Sequence, residues 1–269
     1  MPAIALATLS YKPKHNKVQT LEGDIVTSLK IGPKFVWNSH ACTGTTISPM
    51  WTLTAAHCVM TLKSIPAHLY KAVIRYGAEL SESSNSSFSN VTNFVEHPGY
   101  RSQTLVNKFF RFKNDIGLLK TQPIHLEHYG KISAVDYSTF VGLEVDVVGY
   151  GLMSSDTRTP HGLSSTLILK KPLQVAKAMV KKCDKKELSY LYPILCLAGP
   201  CRQAISLCPG DSGGPLIHMS KVVAVNSMAH VTDCYVDARY RTNNVGYMTP
   251  LSLYLDWIFR HVNDTSPDI

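Results

Sequence analysis

The sequence predicts an all-β protein made of two similar halves. Short runs rich in β-branched and aromatic residues alternate with clusters of Gly, Pro, Asn and Ser, which is the pattern of strands joined by turns. These runs fall into two sets, one in each half of the chain, and two similar halves suit two β-barrels. The chain has 269 residues, of which 45% are hydrophobic and 17% charged, so it can bury a substantial core and is too hydrophobic for disorder.

The predicted elements follow from these runs in chain order. Strands of the first half cover 24–30, 43–47, 50–54, 73–76, 91–96 and 116–120. Strands of the second half cover 144–149, 166–170, 194–197, 215–218, 222–227 and 246–249. A helix is predicted at the carboxyl end, where Thr249 and Pro250 suit a cap and a first turn. The apolar residues at helical spacing indicate core packing rather than a partner surface: Leu251, Tyr254, Leu255, Ile258 and Val262.

Three short motifs carry residues suited to chemistry. Ser212 lies between an acid and two glycines in the run Cys208-Pro209-Gly210-Asp211-Ser212-Gly213-Gly214-Pro215. His57 lies in Thr54-Ala55-Ala56-His57-Cys58, and Asp115 lies in Asn114-Asp115-Ile116-Gly117-Leu118-Leu119. Each alone has an ordinary explanation: a packed histidine, a strand cap, or a glycine-rich turn. Their occurrence together favours a catalytic base, an orienting acid and a nucleophile.

Acyl transfer needs these three residue types. A serine hydroxyl is a poor nucleophile at neutral pH, so a neighbouring base such as His57 must take its proton. A buried Asp115 would hold the correct imidazole tautomer and stabilise the imidazolium that forms. The backbone N–H groups of Gly210 and Ser212 are the candidates for the oxyanion hole, where the loss of one donor costs about 3–4 kcal/mol.

The motifs and their order, His57, Asp115, Ser212, resemble those of the chymotrypsin-like (trypsin-like) serine peptidases. The resemblance implies two six-stranded antiparallel β-barrels with the active site between them and a C-terminal α-helix. The first barrel would supply His57 and Asp115, and the second Ser212. The implied segments are an amino-terminal segment and candidate propeptide (1–23), the peptidase domain (24–263) and a tail (264–269), the domain dividing near 24–135, 136–249 and 250–263.

The resemblance also pairs six of the seven cysteines: Cys42 with Cys58, Cys183 with Cys196, and Cys208 with Cys234. Such bridges imply an oxidising compartment. Cys201 is left over, and either a buried free thiol or an intermolecular bridge accounts for it. No metal is expected, because no Cys-x-x-Cys or paired-His spacing suits zinc. Glu79 and Glu82 form no convincing calcium pattern.

Substrate choice is predicted from the pocket that the resemblance implies. Its floor is Ser206, six positions before Ser212, and its walls are Ala229 and Gly246. An uncharged floor and small walls predict a preference for apolar or aromatic side chains. Ser227 lies in the segment that would pair with an extended substrate backbone, as an added strand. Protein or peptide substrates are therefore expected, with proteinaceous inhibitors as further candidate partners.

Activation is the step at which the sequence departs from the family pattern. Active members begin with an Ile-Val-Gly-Gly-like string, whose new α-ammonium pairs with the acid before the nucleophile, here Asp211. The nearest candidate is Val18, which follows Lys17 and precedes Gln19. Without an ammonium, Asp211 is expected to be an unpaired buried charge, and the turn that holds Gly210 to be displaced.

The sequence therefore predicts a secreted serine endopeptidase of chymotrypsin-like preference, made as a zymogen. The alternative is a catalytically inactive homologue that acts as a binding or regulatory protein, and the departure near the amino terminus motivates it. Three sequons support a secreted glycoprotein, although the apolar patch at 3–9 is a poor signal peptide: Asn85-Ser86-Ser87, Asn90-Val91-Thr92 and Asn263-Asp264-Thr265.

Charge and hydropathy exclude two partner classes. The net charge is +8, but the lysine pairs at 170–171, 181–182 and 185–186 lack interleaved aromatics, so no nucleic acid partner is expected. No apolar run reaches the roughly 18 residues that a membrane span needs. A monomer without a cofactor is expected.

Overall fold

The structure, a computed structural model, describes residues 22–31, 34–64, 70–76, 87–104, 110–151, 173–199, 206–228 and 244–263. Within these ranges the chain is mostly β-strand. The elements form two closed barrels, a short hairpin and three α-helices of seven to nine residues. The predicted all-β class is confirmed.

The first barrel is made of antiparallel strands from the amino-terminal half. They are β1 (Glu22–Ile31), β2 (Lys34–Ser48), β3 (Trp51–Thr54), β4 (Tyr70–Tyr76), β5 (Ser87–Glu96) and β8 (Gly117–Thr121). Their order around the barrel is β1-β2-β3-β8-β5-β4, and pairing of β4 with β1 closes it. Helix α1 (Ala56–Lys63) leaves the barrel directly after β3. Between β5 and β8, the strands β6 (Arg101–Thr104) and β7 (Phe110–Lys113) form a separate hairpin.

The second barrel repeats this architecture in the other half. Its strands are β9 (Glu144–Gly149), β10 (Gln174–Lys181), β11 (Leu195–Ala198), β12 (Pro215–His218), β13 (Lys221–Met228) and β14 (Asn244–Pro250). Their order is β10-β11-β14-β13-β12-β9, and β9 pairs with both β10 and β12 to close the barrel. Helix α2 (Lys185–Leu191) lies between β10 and β11 and begins with a capping box of Asp184 and Glu187.

One predicted strand and one observed strand of the second half need comment. The predicted strand at 166–170 lies outside the described residues. The closed second barrel includes β10, which the sequence prediction missed because its Ala and Lys residues have low strand propensity. Ala178 and Val180 are buried in the barrel core, whereas the neighbouring Lys177 is exposed. This two-residue alternation is that of a strand with one buried face.

The C-terminal helix begins later than predicted. Thr249 and Pro250 are the end of β14, where they pair with Val225 and Ala224. The helix itself is α3 (Leu255–Asn263). The prediction of a start at 250 was wrong because proline also suits the end of a strand, where its missing N–H is tolerated. The expected C-terminal helix itself is confirmed.

An apolar cluster joins the two barrels and fixes their relative position. Leu53 and Ile116 of the first barrel pack with Val222 and Val225 of the second, all of them fully or almost fully buried. The cluster also contains three residues of the C-terminal apolar stripe that was predicted to pack in the core: Leu251, Tyr254 and Ile258. Each such buried side chain contributes about 1.5–3 kcal/mol. Ile116 of this cluster directly follows Asp115, so the cluster helps to set the distance between residues that the two barrels contribute.

No helix within the described ranges is long and apolar enough to cross a bilayer.

Candidate active site

His57 lies in the first turn of α1, whose amino end needs hydrogen-bond acceptors. The residue before the helix, Ala55, is extended and offers no side-chain cap. The first N–H groups of a helix have no partner inside it. Asp115 fills this role for His57, because its Oδ1 accepts the His57 N–H at 2.8 Å. The carboxylate thus fixes the start of α1, from which the imidazole projects.

The same carboxylate binds the imidazole. Oδ2 of Asp115 lies 2.8 Å from Nδ1 of His57, and the Ser227 hydroxyl donates to the same oxygen at 2.6 Å. The Asp115 side chain is 1% exposed, whereas that of His57 is 21% exposed. A carboxylate accepts only, so the arrangement selects the imidazole tautomer with its proton on Nδ1. Nε2 is then the ring nitrogen that can take a proton.

Electrostatics favour the protonated imidazole. Burial by itself lowers the pKa of His57, but the negative charge of Asp115 and the hydrogen bond to it outweigh that effect. The pKa of His57 is therefore raised above its ordinary value of 6.5. Asp115 would stabilise an imidazolium formed during a reaction.

Asn114 holds the turn from which the Asp115 side chain reaches α1. Its backbone has a left-handed φ of 51°, a conformation that asparagine adopts more readily than most residues. The Asn114 side chain accepts from the Tyr254 hydroxyl at 2.9 Å and donates to the Gly99 carbonyl at 2.7 Å. The turn that presents Asp115 is thus held from the C-terminal segment and from the β5–β6 connection.

Phe112 covers one face of the imidazole. The rings of Phe112 and His57 are stacked, with centroids 5.4 Å apart and planes 9° from parallel. Phe112 belongs to β7, and Tyr100 packs beside it with ring centroids 6.2 Å apart. The sequence analysis missed this residue, since nothing in a short strand such as Phe110–Lys113 indicates which ring it will face.

The segment around Ser212 packs against the His57 side of the site. The Thr43 N–H donates to the Ser212 carbonyl at 2.8 Å. Sγ of Cys58 lies 3.6 Å from Nε2 of His57 and 3.8 Å from the Ser212 carbonyl oxygen. Within the described residues, no hydrogen bond joins the Ser212 hydroxyl to His57. Contacts of this kind are often long without substrate and shorten when it binds.

Two glycines of this segment adopt conformations that other residues avoid. Gly210 has a φ of 101° and Gly213 a φ of 78°. A Cβ on Gly213 would also collide with the Thr54 hydroxyl and lie 2.5 Å from the Thr43 carbonyl oxygen. The turn is anchored on its other side by Asn226, whose backbone accepts from Gly213 at 2.7 Å and donates to Gly214 at 2.8 Å.

Asp211 has two backbone hydrogen-bond donors. Its Oδ1 accepts the Gly151 N–H and its Oδ2 accepts the Cys208 N–H, both at 2.8 Å. Donors directed at a carboxylate stabilise its ionised form. Val18, the expected source of an ammonium, lies outside the described residues. The sequence analysis did not foresee these backbone donors, and the lack of an ammonium partner for Asp211 stays a prediction.

The cysteine bridges lie where the resemblance implied, as far as the described residues extend. Cys42 is bonded to Cys58 and Cys183 to Cys196. Cys208 is also disulfide-bonded, and its expected partner Cys234, like Cys201, lies outside the described residues. Each described bridge lies near a further metal-binding residue type, His57 in one case and Glu187 in the other. Disulfide sulfurs are not the thiolates that zinc requires.

The described part of the expected pocket contains buried polar oxygens. Among the described residues, the buried Ser206 hydroxyl has no hydrogen-bond partner, and neither has Oδ1 of Asn226, a residue the sequence analysis did not consider. Gly246 is buried in β14, and Ala229 lies outside the described residues, as does the 79–82 loop. Val225 and Ser227 face the first barrel, so Asn226 between them faces the second-barrel interior, where Leu207 packs.

Two closed antiparallel barrels with a histidine–aspartate pair between them define the class of chymotrypsin-like serine-protease folds. The family model described as "Trypsin" matches residues 14–258, and the chain belongs to this family. Trypsin epsilon of Drosophila erecta is 31% identical over 256 residues, which span 89% of this chain and 88% of that protein.

A solved structure shares the fold. Neuropsin, a serine protease expressed in the limbic system of mouse brain, aligns with a TM-score of 0.62 at 20% identity, over 91% of this chain and 95% of that one.

Proposed function

We propose that this protein is a secreted serine endopeptidase that cleaves peptide bonds through an acyl-enzyme. The observation that carries the proposal is the Asp115–His57 pair, which fixes an Nδ1–H tautomer beside the turn that holds Ser212. Membership of the trypsin family supports the reaction type. The roles are nucleophile for Ser212, general base for His57 and orienting acid for Asp115.

The chemistry follows from these positions. The Ser212 hydroxyl attacks the substrate carbonyl carbon as Nε2 of His57 takes its proton, and Asp115 stabilises the imidazolium. The carbonyl oxygen becomes an oxyanion that the N–H groups of Gly210 and Ser212 bind. The imidazolium then gives its proton to the leaving amine, and an ester to Ser212 remains. Water, deprotonated by His57, then attacks this ester, and the carboxylic acid is released as the Ser212 hydroxyl is regenerated.

An apolar or aromatic residue before the scissile bond is the proposed preference. The floor residue Ser206 is neutral, and the proposed walls are Gly246 and Ala229. The buried oxygens of Ser206 and Asn226 can hydrogen-bond to the hydroxyl of a substrate tyrosine but not to the ring of a phenylalanine, which favours tyrosine among aromatic residues. The substrate backbone would lie along β13 at Ser227, beyond the point where pairing with β12 ends.

Secretion, peptide or protein substrates and a monomeric state are part of the proposal. Disulfides at Cys42–Cys58 and Cys183–Cys196 support an oxidising compartment. A cleft that accepts an extended peptide also suits proteinaceous inhibitors.

A fluorophosphonate probe tests the proposed function. We expect stoichiometric labelling of the purified protein, before or after mild cleavage with trypsin, and its loss in Ser212→Ala. Ser138→Ala is the matched control, since Ser138 is an exposed serine in the short 3-10 helix Tyr137–Phe140, where its hydroxyl donates to Asp136. Absence of labelling in both states would support the inactive binding protein instead.

A further inference from the structure

We propose that Thr43 is a positioning residue for the nucleophile turn, through a hydroxyl that joins three segments of the chain. Thr43 follows Cys42 in β2 and is fully buried. Its Oγ1 donates to the Gly210 carbonyl at 2.8 Å and accepts the Tyr150 N–H at 3.1 Å. The first barrel is thereby linked to the turn and to the end of β9.

The backbone of Thr43 makes further contacts with the same region. Its N–H donates to the Ser212 carbonyl at 2.8 Å, and its carbonyl accepts from the Thr54 hydroxyl at 3.0 Å. Thr43 therefore holds the carbonyl groups on both sides of Asp211. The side-chain hydroxyl is the part of this arrangement that a substitution can remove while the strand remains.

Asp211 completes a ring of hydrogen bonds. Thr43 binds Gly210 and Tyr150, while the carboxylate of Asp211 binds the N–H of Gly151, the residue after Tyr150. The Asp211 carboxylate packs so closely on Gly151 that a Cβ there would collide with it. The Thr43 hydroxyl and the Asp211 carboxylate thus hold the 150–151 segment and the turn together from two sides.

The consequence for catalysis depends on Gly210, and this inference rests on the proposed function. Gly210 has a φ of 101°, and a glycine can adopt more backbone conformations than any other amino acid would at this position. A hydrogen bond to its carbonyl fixes the following peptide plane and restricts those alternatives. Oxyanion donors act only when they are directed at the position of the developing charge. Thr43 acts on the reaction through the turn and does not touch the substrate.

Three variants separate the hydroxyl from the volume of the side chain. Thr43→Val keeps the shape and removes both hydrogen bonds, whereas Thr43→Ser keeps the hydroxyl and removes a methyl group. Thr45→Val is the matched control, because Thr45 lies in the same strand, is fully buried and has a hydroxyl without a hydrogen-bond partner in the described part of the chain.

Steady-state kinetics on a peptide substrate give the first readout. We expect Thr43→Val to lower kcat about 10- to 100-fold with KM within about threefold, since small misplacements of catalytic groups act on turnover. Thr43→Ser should restore kcat to within about threefold of the parent, and Thr45→Val should not change it. Equal kcat values for Thr43→Val and Thr45→Val would overturn the proposal, as would a failure of Thr43→Ser to restore turnover.

Amide hydrogen exchange of the segment 206–216 gives a second readout that needs no turnover. Faster exchange there in Thr43→Val than in Thr45→Val is expected, with the remaining segments unchanged. Unchanged exchange overturns the proposal. If the parent protein fails to react with a fluorophosphonate but Thr43→Val still loosens this segment, the proposed function fails and the positioning role of Thr43 stands.

Discussion

The Ser227 hydroxyl donates a 2.6 Å hydrogen bond to Oδ2 of Asp115, the carboxylate oxygen that also binds His57. Both Ser227 and Asp115 are buried, so this contact joins the second barrel to the first inside the candidate site. A hydrogen bond to a charged group contributes about 1.5–3 kcal/mol. The bond therefore helps to hold the carboxylate in the orientation that binds His57.

Ser227→Ala is expected to lower kcat/KM about tenfold, because 1.4 kcal/mol of lost stabilisation corresponds to that factor. The effect is measured with a peptide substrate at a pH where His57 is neutral. Ser133→Ala is a control, since Ser133 is also a buried serine, whose hydroxyl accepts from the Val135 N–H and makes no other hydrogen bond among the described residues. An unchanged rate in Ser227→Ala would show that Asp115 is oriented by its other contacts.

The pH dependence of kcat/KM should follow the His57 imidazole. A general base must be neutral, and the pKa of His57 is raised because Asp115 outweighs the effect of burial. Activity should therefore rise with pH through a midpoint above 6.5. The same shift contributes stability that is complete below the unfolded pKa and is lost as the pH rises through the folded one. A midpoint below 6.5 in a pH–rate profile would contradict this.

Asp115→Asn should move that midpoint in the opposite direction. Only burial would then act on the imidazole, and burial lowers its pKa. The rate should fall about 10⁴-fold, because an amide can hold the wrong tautomer. Measurement of the pH–rate profile at high enzyme concentration tests both effects together.

The sequence predicted the parts of this molecule that depend on local pattern. β9 and β12 begin and end where the β-rich runs do, and the three candidate catalytic residues follow from short motifs. β10 was missed because its interior alternation uses alanine and lysine, whose presence in a strand depends on burial of one face. The start of α3 was placed too early because Pro250 suits a strand end as well as a helix start.

Contacts between distant segments could not be predicted. The Thr43 hydroxyl binds a carbonyl 167 positions away, and the Ser227 hydroxyl binds a carboxylate 112 positions away. A threonine in a β-rich run has an ordinary explanation in its strand propensity. The sequence likewise marks Phe112 only as a strand residue, and its contact with His57 follows from the position of the β6–β7 hairpin. Such roles depend on how the two barrels meet, which local composition does not contain.

The neutral floor of the proposed pocket predicts slow cleavage after basic residues. Chromogenic peptides should be cleaved faster after Phe, Tyr or Leu than after Arg, because Ser206 offers no charge to a guanidinium. Ser206→Asp should raise the rate after Arg relative to Phe, since an acid at the floor would pair with it. Faster cleavage after Arg by the parent protein contradicts the neutral pocket.

The unpartnered oxygen of Asn226 predicts a preference for tyrosine over phenylalanine. Its Oδ1 is buried, so a substrate hydroxyl that reaches it gains a hydrogen bond that a bare ring cannot. We expect kcat/KM for a Tyr peptide to exceed that for its Phe analogue by about 3- to 10-fold, and the ratio to approach one in Asn226→Val. A ratio that Asn226→Val leaves unchanged places Asn226 outside the pocket.

The two described disulfides should differ in their effect on activity but not on stability. Cys42–Cys58 and Cys183–Cys196 close loops of similar length, with separations of 16 and 13 residues. Replacement of either pair by alanine should lower the free energy of unfolding by about 3 kcal/mol, because the constraint on the unfolded chain is similar. Cys58 contacts His57 and Cys42 precedes Thr43, so only the first replacement should reduce kcat in the folded protein. Denaturant unfolding and kinetics on both double variants check this, and equal kcat values would show that the site keeps its geometry without the first bridge.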